Sequence, residues 1–521
     1  MARALRRWRS SVCVSPTERH RFVKEGERLA LRFEGVGGRY CCPAMRDIKL
    51  HDTRTGKLLP LEPRDPGQVG IYACGPTVYS RIHIGNARPF VVFSLLKRFL
   101  EHEGYDTTLV ANVTDVNDKI YDAARVAGRP SEELAAEMTA LYTTDTDALG
   151  LGRPDHEPLA SETMGAIVAY IRDLIDSGHA YAVEYGGEEG EQGSRSDVFF
   201  RVRSDPEYGS LSHRRIDDMD QGEDVSGPHP PGPHPPSERK EDPLDFALWK
   251  GRKQSEDTWW DAPWGQGRPG WHIECSAMAE GLLGVGFDIH GGGSDLVFPH
   301  HENEASQTRC ARGHELAGIW MHNGMIQLTG EKMAKSRGNI ALLHEVVEQY
   351  GRVAVVMYLI GGHYRQPLAF SPSELEDAGR RVYRIRDALR RLEQGQPSPS
   401  DMSHHTEAFF SALADDFNTP RALAGLFEWI REANRRGEAV GDADLREMLC
   451  TIGLEDLEPL GADGDVETID PEAVALLASR EAARRDRDFE EADRLREEIK
   501  ARGWEIRDGS AGPELLPLLD S

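Results

Sequence analysis

Ile71-Tyr-Ala-Cys-Gly-Pro-Thr-Val-Tyr-Ser-Arg-Ile-His-Ile-Gly-Asn86 changes character twice along its length. The apolar run Val69 to Ala73 is short enough for one buried strand. Cys74 and Gly75-Pro76 end that strand. A helix is expected from about Asn86 to Glu103, with Phe90, Phe93, Leu96 and Leu100 on one face and Gly104 as its stop. Strand, glycine-bearing turn and helix N-terminus form the ligand-binding end of an open α/β sheet, and helix N-termini favour phosphate. This turn also carries a thiol, Cys74, and an imidazole, His83. Phosphate binding alone requires neither.

Working outward, Thr107 to Asn112 reads as a second strand. Residues 67–118 are then strand, helix, strand, half of a nucleotide-binding α/β domain. Helical periodicity continues through Ser131 to Leu149 and Ser161 to Ser177, and Asp197 to Val202 reads as a short strand. Residues 186–194 and 217–242 are poor in apolar side chains. Within them, Pro228-His-Pro-Pro-Gly-Pro-His-Pro-Pro236 reads as a proline-rich surface loop rather than a histidine metal tract. Apolar patterning resumes at Asp242 to Trp249. After Gly361 the composition is helical, with bundle helices expected over Leu375 to Gln396 and Glu407 to Gly437. A short helical pair, Pro471 to Ala501, and a small tail close the chain.

The chain has 521 residues, enough for three or four domains with ordinary cores. No apolar run approaches the roughly 20 residues needed to span a bilayer, so a soluble protein without a membrane partner is expected. The arginine-rich start, Met1 to Arg9, has no apolar segment behind it and does not read as a secretory signal. Seven scattered cysteines suit a reducing cytoplasm, where a cysteine is a ligand or core filler rather than half of a disulfide. The net charge of −26, from 62 basic and 88 acidic residues, argues against a polyanionic partner if taken as a sum. Distribution matters more, because phosphate contact is local. Arg380, Arg381, Arg384, Arg386, Arg390 and Arg391 crowd one helical segment; Arg480, Arg484, Arg485, Arg487, Arg494, Arg496, Lys500 and Arg502 crowd another. By themselves they read as solvated faces laced with Asp and Glu.

Several motifs follow one another in a telling order. His83-Ile-Gly-Asn86 and Lys332-Met-Ala-Lys-Ser336 resemble the two signatures of class I aminoacyl-tRNA synthetases. Cys74-Gly-Pro-Thr-Val-Tyr79, Asn112-Val-Thr-Asp115, Gly270-Trp-His-Ile-Glu-Cys275 and Phe298-Pro-His-His-Glu-Asn-Glu304 narrow the resemblance to the cysteinyl-tRNA synthetase family. It starts near Met45, so residues 1–44 are expected to be a disordered extension. The resemblance implies a Rossmann-type α/β catalytic domain over 45–360 with an insertion at about 130–245. An all-α anticodon-binding bundle over 361–460 and a small domain over 470–521 would follow.

Cys74, Cys275, His300 and Glu304 offer two thiolates, an imidazole and a carboxylate. His300 and Glu304 are four apart, so on a helix both reach one point. Such soft and borderline donors point to one Zn2+ per chain. His301 and His272 compete for the imidazole position. An apolar pocket separates near-isosteres such as cysteine and serine only about 10–200-fold. A thiophilic metal prefers cysteine by chemistry instead.

The resemblance also places Thr114, Trp271 and Asp295 around the amino acid, with Asp295 suited to its ammonium group. It implies that His83, Gly85 and Asn86 meet ATP, which enters with Mg2+. The lysines Lys332 and Lys335 would stabilise the departing pyrophosphate. Asn86 stands where the family often has a second histidine, and Ala334 where it has serine. The expected activity is cysteine–tRNA ligation by a cytoplasmic monomer, with cysteine, ATP and tRNA(Cys) as substrates. Two other readings are a mycothiol-type ATP-dependent cysteine:amino-sugar ligase, which would lack the helical C-terminus, and an inactive tRNA-binding paralogue.

Overall fold

A computed structural model of the protein describes residues 46–186, 194–219, 239–328, 341–436, 439–458, 471–502, 504–509 and 512–517. Residues 1–44, the proline-rich run 228–236, Lys332 and Lys335 lie outside them.

A hairpin, β1 (Lys49–Asp52) with β2 (Lys57–Pro60), precedes the central strand β3 (Gln68–Ala73). Helix α1 (Ile84–His102) returns the chain to β4 (Asp106–Ala111), parallel to β3. The helix begins two residues before the expected Asn86 because His83 already serves as its N-cap, with extended backbone. Helices α2 (Asp118–Ala127), α3 (Ser131–Asp147) and α4 (Met164–Asp176) follow. Next comes a five-stranded antiparallel sheet of β5 (Ala180–Gly186), β6 (Ser194–Phe200), β7 (Phe246–Gly251), β8 (Trp260–Ala262) and β9 (Gly265–Pro269).

The inserted sheet therefore runs past residue 245, where the insertion was expected to close. β7 pairs with β6 and β9, and its Leu248 and Trp249 share a separate apolar core with Ile167 and Phe200. The chain passes directly from β9 into α5 (Trp271–Leu283), then β10 (Phe287–Gly293), α6 (Glu302–Arg312) and β11 (Ala317–Asn323).

The main sheet is wholly parallel, in the order β11-β10-β3-β4. From β3 the chain moves one way to β4; β10 and β11 are laid on the other side. Strand order reverses between β3 and β10, and the carboxyl ends beside that reversal are where open α/β sheets bind ligands. Cys74 and the turn after β10 lie there.

β12 (Ile326–Leu328) pairs in parallel with β13 (Leu368–Phe370), on either side of α7 (Leu343–Tyr350) and α8 (Arg352–Leu359). The bundle is α9 (Pro372–Arg391), α10 (Ser403–Ala414), α11 (Thr419–Arg435) and α12 (Ala443–Thr451). It is not insulated from the sheet, as a boundary at 360 would suggest. Ile71, Phe93 and Leu96 belong to the same buried cluster as Leu375, Phe409, Leu413 and Trp429. The reason is α1, which buries Phe90, Val91, Val92, Phe93, Leu95 and Leu96 in succession, leaving it apolar nearly all round. By contrast, α13 (Pro471–Arg485), α14 (Phe489–Ala501) and the hairpin β14 (Trp504–Gly509) with β15 (Gly512–Pro517) enclose their own core of Ala473, Ile499, Trp504 and Ile506.

None of the described helices is long and apolar enough to cross a membrane. Cys74, Cys275 and Cys310 are free thiols.

Candidate metal centre and active site

Four separate elements deliver the donors. Cys74 follows β3, and its N–H donates to the Gly291 carbonyl of β10 at 2.9 Å, which fixes the thiol at the strand reversal. The next residue must be glycine: a Cβ on Gly75 would lie 1.7 Å from the Asn112 carbonyl oxygen. Cys275 lies in the second turn of α5. His300 sits in a wide turn at Val297–His301, one residue short of α6, so it and Glu304 do not share one regular helix as expected. Their side chains still meet, His300 Nε2 lying 2.9 Å from Glu304 Oε1.

Cys74 Sγ is 3.7 Å from Cys275 Sγ, 3.8 Å from His300 Nε2 and 3.7 Å from Glu304 Oε1. All four residues are buried, and their donor atoms lie within 4.8 Å of one another, a spacing one small cation fits. The Trp271 ring stacks on His300 with centroids 4.0 Å apart, and His272 Nδ1 is 3.0 Å from His300 Nδ1. These contacts turn His300 Nε2 toward the thiols, as outer partners of metal ligands do.

The charges are strongly coupled. The hydrogen bond from Cys74 lowers the Cys275 pKa to about 6, against burial and the Glu304 charge. Burial, then the bond and charge at Cys275, push the Cys74 thiol well up. Burial opposes a charged His300, but Glu304 and Cys275 outweigh it and raise the imidazole to about 10. Burial would also raise Glu304, yet His300 and His290 hold it at about 2. Three acidic groups and one base packed this tightly, out of water, are the donor set of a soft divalent cation.

A second set shares two of these residues: Cys74 and Glu304 with His290 and His301. His301 Nε2 is 3.3 Å from Cys74 Sγ, and His290 Nε2 is 2.9 Å from Glu304 Oε2. The competition from His301 is therefore real in space. Its other nitrogen is engaged by His322, 2.7 Å away, whose Nδ1 meets Thr53 Oγ1 at 2.7 Å. The set with Cys275 has two sulfurs and is the better site for a soft metal.

A cavity of about 400 Å³ opens beside the cluster, lined by His300, Trp271, Asp295 and Thr77 at one end. Thr114 does not line it. That residue is 1% exposed and its hydroxyl accepts from Asn112 Nδ2 at 3.4 Å. Thr77, bridged to it through the backbone, does line the cavity. His83 and Asn86 also lie outside this lining, at the start of α1. The His83 N–H donates to Asn86 Oδ1 at 3.2 Å, so the amide oxygen caps the helix.

Two features escaped the sequence reading. Both carboxylate oxygens of Glu274 are buried without a hydrogen-bond partner, and burial, then the charges of Cys275 and Asp115, push its pKa well up. The cavity lining also includes Asp118, Lys250 and Arg268, part of a half-buried ion cluster. Asp118 pairs with Lys250 at 2.8 Å and with Arg268, which also reaches Glu256 at 3.1 Å. Only the motif containing Glu274 hinted at either.

Residues 60–380 match the catalytic domain of class I (C) tRNA synthetases, 408–451 a DALR domain, and 467–512 the cysteinyl-tRNA ligase anticodon-binding domain. The cysteine–tRNA ligase of Halorhodospira halophila is 44% identical over 475 residues, covering 89% of this chain and 98% of that one. That of Symbiobacterium thermophilum is 40% identical over 486 residues, with coverage of 89% and 98%. Among solved structures, Mycobacterium tuberculosis methionyl-tRNA synthetase with methionyl-adenylate aligns at a TM-score of 0.54 and 17% identity, covering 74% of this chain and 88% of that one. Agrobacterium radiobacter K84 leucyl-tRNA synthetase, in a ternary complex, aligns at 0.54 and 13%, covering 75% and 83%. At such identities these two speak for the fold alone. Sequence, fold and domain order agree, and the chain belongs to the cysteine–tRNA ligase family of class I aminoacyl-tRNA synthetases.

Proposed function

We propose that the protein activates cysteine with ATP and transfers it to the 3′ end of tRNA(Cys), selecting cysteine through zinc at Cys74, Cys275, His300 and Glu304. The observation that carries this reading is the four-donor cluster at the wall of a cavity that also presents Asp295 and Trp271. Bound there, zinc supplies a thiophilic position for the substrate sulfur, which serine cannot fill equally. Asp295 suits the substrate's ammonium group and Trp271 forms an apolar wall. One carboxylate oxygen of cysteine attacks the α-phosphate of ATP, and the bond to pyrophosphate breaks. His83 and Asn86 at the start of α1 donate to the phosphates, and Lys332 and Lys335 take the charge that develops on the leaving pyrophosphate. In the second step a ribose hydroxyl of the tRNA 3′ end attacks the cysteinyl carbonyl and AMP leaves.

The match of residues 467–512 to an anticodon-binding domain favours RNA over an amino sugar as acceptor. All four donors come from one chain. Purified zinc-loaded protein is expected to charge tRNA(Cys) with cysteine and ATP. After zinc removal, cysteine-dependent ATP–pyrophosphate exchange is expected to collapse and to return on adding zinc. Full exchange without metal would refute the zinc role. Exchange without charging would refute the acceptor.

A further inference from the structure

Arg88 lies one turn into α1 and is 0% exposed. Among the described residues its guanidinium donates only to main-chain carbonyls: Nη1 to Gly324 at 2.5 Å and Met325 at 3.5 Å, and Nη2 to His363 at 3.1 Å. Among the described residues no carboxylate pairs with it, and its Nε has no hydrogen-bond partner. Burial pulls its pKa down to about 10.

A buried charge without a counter-ion is costly, and an apolar side chain of similar volume fills such space at no desolvation cost. What only arginine does is gather carbonyls of separate segments into one planar fork. The segments gathered here are Gly324–Met325, just past β11, and His363, just past α8. Gly324 is gripped from the other side as well. Its N–H donates to the Tyr364 carbonyl at 2.7 Å, and a Cβ there would fall 2.4 Å from the main chain of Gln366.

The same end of α1 holds a second stretch of chain. The Ile84 N–H donates to the Ala341 carbonyl at 3.0 Å, and the Leu343 N–H to the Ile82 carbonyl at 3.1 Å. Residues 82–88 thus fasten the chain at Gly324–Met325 and again at Ala341–Leu343. In the sequence, the interval between those two points carries Lys332 and Lys335.

We propose that Arg88 is a positioning residue for adenylation: its fork sets Gly324 and Met325 against the helix that bears His83 and Asn86, and thereby sets where the lysine-bearing interval begins. This rests on the reading of Lys335 as a pyrophosphate ligand. The fork holds no metal donor and not Asp295, so the consequence is expected on turnover rather than on cysteine recognition.

The test uses full-length, zinc-loaded protein with Arg88→Lys, which keeps the charge and loses the fork, and Arg88→Met, which keeps only the volume. Each is made with Lys335 present and in a Lys335→Ala background. Folding is followed by thermal melting, zinc by content per chain, and chemistry by cysteine-dependent ATP–pyrophosphate exchange. With Lys335 present, Arg88→Lys is expected to lower kcat at least about tenfold while KM for cysteine stays within about twofold. In the Lys335→Ala background the same change is expected to cost less than about twofold, because the group it positions is gone. An equal loss in both backgrounds, or a kcat per folded molecule that does not change, overturns the proposal. Should Arg88→Met not fold, Arg88→Lys alone decides it. Lys335→Ala with wild-type exchange would instead overturn the lysine reading itself.

Discussion

The metal cluster and the arginine-bearing helices carry the same kinds of charge in opposite surroundings. Cys74, Cys275, His300 and Glu304 are buried, and each shifts the proton affinity of another. The arginines of α9 and α14 are paired mostly within their own helix. Arg380 is bonded to Asp377, Arg390 and Arg391 share Asp387, and Arg494 bridges Glu491 and Glu498. Arg390, Arg391 and Arg494 are 42%, 43% and 59% exposed. Water and salt screen such pairs, so each contributes little to stability. In the buried cluster each charge is tied to its neighbours, whereas exposed charges can exchange partners at little cost. On the proposed function, the interior would hold one small cation and the surface would meet a large polyanion that it can release.

The sharpest break comes from removing a donor. A change beside a metal ligand alone costs about 10–100-fold in affinity or activity. Loss of the ligand itself in Cys275→Ala is expected to abolish tight zinc binding and bring cysteine-dependent exchange to background. Zinc content and exchange are measured on the same sample. A metal-free variant with wild-type exchange would show that the cluster is not the selector.

The next effect tests the proposed role of Lys335 as pyrophosphate departs. Lys335→Ala is expected to lower the adenylation rate about 100–1000-fold, as for removal of one preorganised donor. Cysteine affinity should stay nearly constant, because the interaction is made in the transition state. Single-turnover kinetics beside equilibrium cysteine binding separate the two, and a change confined to affinity would refute the assignment.

Proton release sharpens the contrast further. At pH 7 the metal-free centre holds protons on Cys74, whose thiol is pushed well up, and on His300, raised to about 10. Cys275, at about 6, and Glu304, at about 2, have largely lost theirs. Zinc requires both thiolates and a neutral imidazole, so binding is expected to release about two protons. Log affinity then rises by about two per pH unit between pH 7 and 8, and more steeply below pH 6 where Cys275 is also protonated. Calorimetry in buffers of different ionisation enthalpy counts the protons; a count of zero would mean that the four residues do not bind as a set.

How far the sequence could be read follows from how local each feature is. The unit from Val69 to Gly104 was readable because strand, turn and helix each depend on neighbours a few residues away. The cluster was readable as residue types, but its geometry joins Cys74 to Glu304 across the whole insertion. His301 could not be ranked against His300 from spacing, and His290, buried within a strand, gave no signal at all. The loops after β3 and β4 pair with each other through Thr77 and Thr114, a juxtaposition that spacing in the sequence does not show. The shared core of sheet and bundle was hidden for the opposite reason. Each helix face looked amphipathic by itself, and only contact shows that α1 serves both.

That shared core decides how the weakest contrast is tested. A cut near Ser371 would strip Leu375, Phe409 and Trp429 from the cluster that holds Ile71, and loss of activity would then report unfolding. The C-terminal segment, with its own core of Ala473, Ile499, Trp504 and Ile506, is the better place to cut. Removing residues 467–521 is expected to leave cysteine-dependent exchange intact and to weaken tRNA charging. Within that segment, Arg494→Ala and Arg496→Ala change only exposed side chains, so thermal melting should hardly move. Each arginine that contacts phosphate contributes about 0.7–0.9 to the slope of log tRNA affinity against log salt. The double variant is thus expected to flatten that slope by up to about 1.4–1.8, with exchange unchanged. An unaltered slope would leave these arginines as ordinary solvated charges, balanced by the glutamates beside them, and would move the phosphate contacts to other parts of the surface.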